Sequence, residues 1–427
     1  MGANLPSVFR KQVEICLELV GSIERAAVET GRSADQQLAA FYRQHHEYGS
    51  RDRRFFSNAV FSWFRWRGWL KTPDAKNVAA AILLDSSALP PQAVILAGIA
   101  GLDAAILKPL GQLSLGDKAA ALRDLLGTGV PDIGQLVPGW FAEMLYCPAP
   151  GAGAEHMARC IGAFQSRPPT WLRLRADREQ EARKFLADMQ IETGGHPFME
   201  HAVFIKGAAN RDLSRMHGAE PQDLASQCAG LCCSPRPGEQ WWDVCAGAGG
   251  KTLHLADLMK DQGLILATDI RPSILDQLSK RLGKNRYHCV RVELLEEAGP
   301  PPAAGKFFDG VIVDAPCSGS GTWHRNPDAR WRTGPGQVRH YAEVQDGLLE
   351  MAAARVKPGG RLVYATCSLT ALENTARVGA FLERHGEFRH EPVFNPLTRQ
   401  QTGGLIWIWP WEWNCNGMFI AAMKKSP

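Results

Sequence analysis

No apolar run in this 427-residue chain is long enough to span a bilayer, which excludes a helical membrane protein. Met1 to Arg10 lacks an apolar core behind a basic start, so no secretory signal is expected there. A strong charge bias is missing too. The formal net charge is +4, so only a local cluster of basic residues could argue for nucleic-acid binding. The 11 cysteines include the adjacent pair Cys232-Cys233 but show no zinc-type spacing, and no metal is expected. An odd number of thiols without a secretory signal reads as reduced cysteine in a cytoplasmic protein. There is no long internal repeat and no low-complexity tail, which leaves out solenoid architectures.

Two nucleotide-binding motifs are nearly present and fail. A P-loop, G-x-x-x-x-G-K-[ST], would need glycine at position 245, where Cys245 stands. A dinucleotide turn, G-x-G-x-x-G, opens at Gly247 and Gly249 but meets Thr252 at its sixth position. These failures count against a phosphate-cradling NTPase and a nicotinamide enzyme.

What is there centres on Val311 to Asp328. Val311, Ile312 and Val313 read as a buried strand that runs into Asp314, Ala315, Pro316 and Cys317. The glycines among Ser318 to Thr322 cannot easily continue strand or helix. In open parallel sheets ligands collect at the carboxyl ends of strands, so a carboxylate and a thiol placed there point to function. Arg361 to Glu373 repeats the arrangement. The strand Leu362 to Ala365 ends at Cys367, again followed by serine, and Thr370 with Glu373 fits a capping box for a helix starting near Thr370. One free cysteine is most simply a core residue. Two, each just beyond a strand and each followed by serine, read as a paired active site.

Three segments are expected along the chain. Residues 1–146 read as helical. Val13, Leu17 and Val20 are spaced on one face, a long basic helix runs from Ser50 to Leu70, and later helices lie over Lys76 to Leu83, Pro91 to Ala100, Asp117 to Leu126 and Leu136 to Leu145. The long helix interleaves Arg51, Arg53, Arg54, Arg65 and Arg67 with Trp63, Trp66 and Trp69. The tryptophans suit packing of the bundle, and the arginines suit either solvent or an RNA backbone. Cys147 to Ala154 is a Pro/Gly/Ala linker. Residues 155–219 read as a small α/β module. From 220 to 427 strands and helices alternate, the pattern of a doubly wound sheet.

In that last segment the turn Asp243-Val-Cys245-Ala246-Gly247-Ala248-Gly249-Gly250-Lys251 opens a helix. Its glycines let backbone approach a ligand closely. Asp269 lies at the end of the next strand, 20 residues after Gly249, where an acid can take two ribose hydroxyls. Glu293 ends the strand after that. S-adenosylmethionine fits, since it carries a ribose and no phosphate. Two thiols beside a methyl donor suggest a specific chemistry. Carbon 5 of a pyrimidine becomes nucleophilic when a thiolate adds to carbon 6, and a second acid/base group must then help release the product. Asp314 could hydrogen-bond the base ring. Lys251 could orient Asp314 or favour thiolate. The residues alone leave open which cysteine attacks.

These motifs resemble the NOL/NOP/Sun family of RNA cytosine-5 methyltransferases, and its bacterial RsmB-like branch most. The family's Asp-x-Cys-Ala-Ala-Pro-Gly-Gly-Lys-Thr stands at Asp243 to Thr252, with Gly247 and Ala248 in place of Ala-Pro. Its Asp-Ala-Pro-Cys-Ser-Gly-x-Gly stands at Asp314 to Gly321, followed by matching Arg325, Pro327 and Asp328. Its Tyr-x-Thr-Cys-Ser…Glu-Asn stands at Tyr364 to Ser368 with Glu373 and Asn374. The resemblance implies an α/β protein: a class I methyltransferase (Rossmann-like) sheet behind a NusB-like helical domain and a small RRM-like module. It implies Cys367 as nucleophile and Cys317 as the residue assisting release. It places S-adenosylmethionine at Asp243 to Lys251, Asp269, Glu293 and Asp314. The implied substrate is a cytosine of ribosomal RNA, with tRNA the alternative and a non-catalytic RNA-binding assembly factor a third reading. A monomer is expected, with RNA as its partner and no membrane.

Overall fold

The computed structural model describes residues 7–103, 107–206, 213, 216–296 and 305–427. They fall into two compact units. One comprises Met1–Arg167 with Thr322–Gly334, the other Pro168–Gly321 with Pro335–Pro427. The stretch that directly follows Gly321 in sequence thus belongs to the helical unit.

In the helical unit the helices run over Ser7–Thr30, Ala34–Gln44, Ser50–Trp66, Ala75–Asp85, Pro91–Ile99, Leu115–Leu126, Trp140–Met144 and Gly153–Phe164. The helix Ser50–Trp66 is capped one residue earlier than its serine suggests. Gly49 is the cap, and the Asp52 carboxylate accepts the Gly49 N–H at 3.1 Å. Phe56, Val60, Trp63, Phe64 and Trp66 of this helix are all fully buried. Each large apolar side chain so buried contributes about 1.5–3 kcal/mol, which explains why the tryptophans pack the bundle. The arginines divide. Arg65 is buried against Asp85 at 2.9 Å and donates to the His324 carbonyl, and Arg67 pairs with Glu24 at 2.7 Å. Neither is a solvated basic residue. Arg51 and Arg54 are exposed.

The helix expected over Leu136 to Leu145 is replaced by a 3₁₀ turn, Ile133–Leu136, and the short helix Trp140–Met144. Pro138 lies between them. It has no N–H to donate and disfavours helix in the residue before it. Trp323 packs its ring among Trp140, Phe141 and Phe164. Arg330 is fully buried and donates to the Leu136 and Phe164 carbonyls at 2.8 and 3.2 Å. Burial pulls its guanidinium down to about 9.

The second unit contains a small antiparallel sheet of β1 (Thr170–Leu174), β2 (Thr193–His196), β3 (Met199–Ile205) and β4 (Ala219–Pro221), in the order β2-β3-β1-β4. The larger sheet holds β5 (Gln240–Asp243), β6 (Leu264–Asp269), β7 (Val290–Leu294), β8 (Phe308–Asp314) and β9 (Val356–Thr366), all parallel to their neighbours in the order β9-β8-β5-β6-β7. β10 (Phe388–His390), β13 (Leu405–Ile408) and β14 (Met418–Lys425) complete it, with β14 antiparallel to β9. β11 (Val393–Phe394) and β12 (Gln401–Thr402) pair separately. Strand order reverses at β5, which makes this a doubly wound, Rossmann-like sheet whose ligand crevice lies at the carboxyl ends of β5 and its neighbours.

Alternate side chains of the strands feed two cores. Trp241, Ile265, Ile312 and Val363 face the helices Leu224–Cys233 and Gly250–Leu258. Trp242, Leu266, Val313 and Tyr364 share the other core with Leu349 and Val378, which come from the helices Pro335–Ala353 and Thr375–Arg384. β7 starts later than the sequence suggests. Glu293 lies within it, paired with Thr268, rather than beyond its end. The helix expected near Thr370 begins only at Thr375. The capping-box contact forms all the same, with the Glu373 N–H donating to Thr370 Oγ1 at 3.3 Å, but residues 371–374 make a turn. Among the described residues, no helix is long and apolar enough to cross a membrane.

Candidate active site

Two parallel strands side by side set the centre of the site. β8 and β9 pair Asp314 with Ala365, so their carboxyl ends lie level. Each then releases a cysteine into the loop that follows. Cys317 Sγ and Cys367 Sγ come within 3.3 Å of each other, and both side chains are half-buried. The hydrogen bond with Cys367, followed by burial, pushes the Cys317 thiol well above the usual range. The two loops are tied together by backbone. Gly321 N–H donates to the Cys367 carbonyl at 2.8 Å, and Gly417 N–H donates to the Gly321 carbonyl at 2.8 Å. A side chain at Gly321 would place its Cβ 2.2 Å from the Gly417 oxygen, so only glycine fits there.

Beside the thiols, Lys251 Nζ contacts Asp314 Oδ2 at 2.5 Å. Lys251 is buried while Asp314 is half-buried. Burial works against the ammonium, but the facing Asp314 carboxylate outweighs it and holds Lys251 above its ordinary value. The helix Gly250–Leu258 carries Lys251 to this place from the end of β5. Its preceding residue, Gly249, has φ +88°, and a Cβ there would fall 2.2 Å from Leu278 Cδ1. The turn Asp243 to Gly250 can therefore close only with glycine at that point.

The turn also carries two side chains of the predicted cofactor set, with a third, Asp269, bonded to it from the end of β6. Asp243 is fully buried. One carboxylate oxygen accepts from Thr252 Oγ1 at 2.7 Å, and the other has no partner among the described residues. Burial pushes this carboxyl up to about 7. Cys245 is also raised well above the usual range, by burial first and then by the neighbouring carboxylates of Asp243, Asp314 and Asp269. Asp269, at the end of β6, accepts the Gly247 N–H at 2.9 Å. Its oxygens also hold Arg271 through the guanidinium at 2.8 and 2.9 Å. Burial opposes ionisation, yet the Arg271 contacts keep Asp269 below the usual carboxylate range. Glu293 is ion-paired with Arg291 on its own strand.

Arg271 was not among the residues singled out from the sequence, although an arginine two places after a strand-end aspartate is a legible signal. Glu373 was noted only as a motif and helix-cap residue. It lies fully buried beneath both cysteine loops. A third missed feature is a column of indoles: Trp407, Trp409 and Trp411 stack nearly parallel, with ring centroids 5.1 and 5.2 Å apart. The alternation of tryptophan along β13 and beyond was its signal. A cavity of about 1230 Å³ lined by Arg173, His201, His254 and Tyr287 contains none of the motif residues and stands apart from this chemistry.

Similarity to known proteins bears on the same residues. The family described as 16S rRNA methyltransferase RsmB/F matches residues 231–424, which hold every motif residue of the site. The chain is 30% identical over 302 residues to ribosomal RNA small subunit methyltransferase B of Shewanella oneidensis, covering 68% of this chain and 67% of that protein. This chain belongs to the RsmB/F methyltransferase family. It is also 40% identical over 212 residues to a probable ribosomal RNA small subunit methyltransferase B of Synechocystis, covering 48% of this chain and 47% of that protein. The chain thus spans about half to two thirds of the length of the curated relatives it matches. In fold it resembles the solved structure of PH0851, with a TM-score of 0.74 over 99% of both chains at 23% identity. RsmB/F proteins are NOL/NOP/Sun-type enzymes that use S-adenosylmethionine. The residues present here fit that cofactor: a buried Asp243 oxygen has no partner among the described residues, and a turn that needs glycine at position 249 closes beside Asp269, whose carboxyl is held below the usual range.

Proposed function

We propose that this chain methylates carbon 5 of a cytosine in ribosomal RNA, of the small subunit, through a covalent cysteine adduct. The observation that carries the reading is the 3.3 Å approach of two thiols at adjacent strand ends, beside the Lys251–Asp314 pair. Methylation at oxygen or an exocyclic nitrogen needs no thiol. Carbon 5 needs one, because it gains nucleophilic character only after addition at carbon 6.

The cofactor would be held by Asp243, the turn through Gly250, and Asp269, and it supplies an electrophilic methyl group. Cys367 attacks carbon 6 as thiolate, forming a carbon–sulfur bond. Asp314, oriented by Lys251, hydrogen-bonds the base ring, and the Lys251 ammonium paired with it offsets the negative charge that addition puts there. Carbon 5 would then take the methyl group as its bond to the sulfonium sulfur breaks, leaving a neutral thioether. Once Cys367 is bound to carbon, the thiolate that held the proton on Cys317 is gone, and Cys317 releases that proton to solvent. Its thiolate accepts the carbon 5 proton. The carbon–sulfur bond breaks, Cys367 leaves as thiolate, and the aromatic ring is restored. The target base must be unstacked to reach the thiols. The exposed Arg51 and Arg54 of the helical unit are the backbone contacts assigned to RNA in this reading. The enzyme would act in the cytoplasm, as a monomer.

The test is trapping. Cys317→Ala incubated with small-subunit ribosomal RNA and S-adenosylmethionine should accumulate a protein–RNA adduct on a denaturing gel, and adding Cys367→Ala should remove it. Methyl transfer by the wild type with no adduct in Cys317→Ala would overturn the thiol roles. Methylation of tRNA instead would move the substrate, and no transfer to either RNA would favour an assembly factor.

A further inference from the structure

Beneath the two thiols lies a carboxylate that touches neither of them. Glu373 is fully buried. Its Oε1 accepts the Ser318 backbone N–H at 2.7 Å and lies 3.4 Å from Gln345 Nε2. Its Oε2 has the hydroxyls of Ser318, Ser368 and Thr370 at 2.6, 2.5 and 2.9 Å. Ser318 follows Cys317, and Ser368 follows Cys367. One carboxylate therefore fastens both cysteine loops at the residue next to each thiol. Its own backbone is fixed as well: Tyr364 OH donates to the Glu373 carbonyl at 2.6 Å. Asn374, also buried, accepts from Thr366 Oγ1 and donates to the Ser368 carbonyl. Gln345 in turn donates to the Pro316 carbonyl at 2.9 Å, just before Cys317. A buried acid is costly unless its lone pairs are met, and here several donors converge on it. Such a network specifies geometry rather than merely filling space.

We propose that Glu373 is a positioning residue: its carboxylate clamps the two loops so that the thiols meet, and its buried negative charge adds to the effect of the Cys367 thiolate on Cys317. This rests on the covalent mechanism proposed above. The ionisable groups acting on Cys317 are Cys367 and Glu373, and both disfavour its thiolate. Tyr364 lies within the field of Cys317 and Glu373, and the Asp346–Arg377 pair acts on that phenol with opposing signs. Lys251, the nearby cation, interacts with Cys367 and is committed to Asp314. The buried carboxylate thus opposes a thiolate at Cys317, as a nearby like charge does in general.

The experiment is site-resolved alkylation. The full chain, without RNA or cofactor, is treated with iodoacetamide across pH, and modification of Cys317 and Cys367 is followed separately by peptide mass spectrometry. In the wild type Cys317 should react only above the pH at which an ordinary thiol does. Glu373→Gln removes the charge and keeps the shape, so the Cys317 midpoint should fall by about one pH unit, roughly a tenfold gain in its rate at a fixed lower pH. Glu373→Asp keeps the charge and should leave the midpoint near the wild-type value. Thr370→Ala removes one donor from the carboxylate and should move the Cys317 midpoint upward, which keeps the test available if Glu373→Gln does not fold. An unchanged Cys317 profile in Glu373→Gln, the same shift in Glu373→Asp, or a downward shift in Thr370→Ala would overturn the proposal. Failure of the wild type to methylate RNA would instead count against the proposed function, because no RNA enters the alkylation measurement.

Discussion

Lys251 Nζ lies 2.5 Å from Asp314 Oδ2, at the point where the helix after β5 meets the end of β8. The pair joins the glycine-rich turn to the cysteine loop, and each residue loses its partner if the other is removed. Lys251→Met keeps the buried stem and deletes the cation. Single-turnover methyl transfer should fall by roughly 10²-fold or more, the scale of losing a positioned acid/base group. A rate within about threefold of the wild type would mean that the pair is structural only.

The strand-end acid gives a prediction with two signs. Asp269→Ala should weaken binding of S-adenosylhomocysteine by about 10- to 100-fold, since a hydrogen bond to a charged group contributes about 1.5–3 kcal/mol. Arg271→Ala should strengthen it, because the Arg271 guanidinium occupies the same carboxylate oxygens. Calorimetry measures both. Weaker binding in Arg271→Ala would show that the arginine contacts the ligand rather than competing with it.

Asp243 makes stability depend on pH. Burial raises its folded-state value to about 7, above its unfolded one. An acid shifted this way contributes stability that is fully present below the unfolded value and is lost as pH rises through about 7. Asp243→Asn stays neutral and can still accept from Thr252. Its Tm minus that of the wild type should therefore grow from pH 5 to pH 7 and level off above pH 8. A difference that is flat across this range would mean that Asp243 is ionised at every pH tested.

Trp323 anchors the helical unit although it follows the cysteine loop in sequence. Its ring is fully buried among Trp140, Phe141 and Phe164. Trp323→Ala should cost about 3–5 kcal/mol in denaturant unfolding of this unit. Trp323→Phe should cost less, since it keeps an aromatic ring and removes an indole N–H that has no partner among the described residues. Equal losses in the two variants would show that packing by the ring is not what the residue supplies.

The motifs could be read without a structure because they are local. A β-branched run ending at Asp314 and Cys317, a glycine-rich turn at Asp243 to Gly250 and an acid ending the next strand are patterns of neighbouring residues. The doubly wound sheet followed from the alternation of such segments. Local patterns also mislead where a neighbour overrides them. Pro138 breaks a helix that apolar spacing favours, and the Thr370–Glu373 box forms its bond without starting a helix.

Charge and partnership were decided only by tertiary structure. Arg65 and Arg67 read as basic surface residues, but Asp85 and Glu24, some 20 and 43 residues away, turn them into internal ion pairs. Glu373 gathers Ser318 from 55 residues earlier in the chain, and Arg271 closes over Asp269. A buried polar group must find donors wherever the fold supplies them, and nothing in its own neighbourhood names them. The chain alone therefore determined which chemical groups reach the sheet edge. Packing decided that two of them, Cys317 and Cys367, stand 3.3 Å apart over one buried carboxylate.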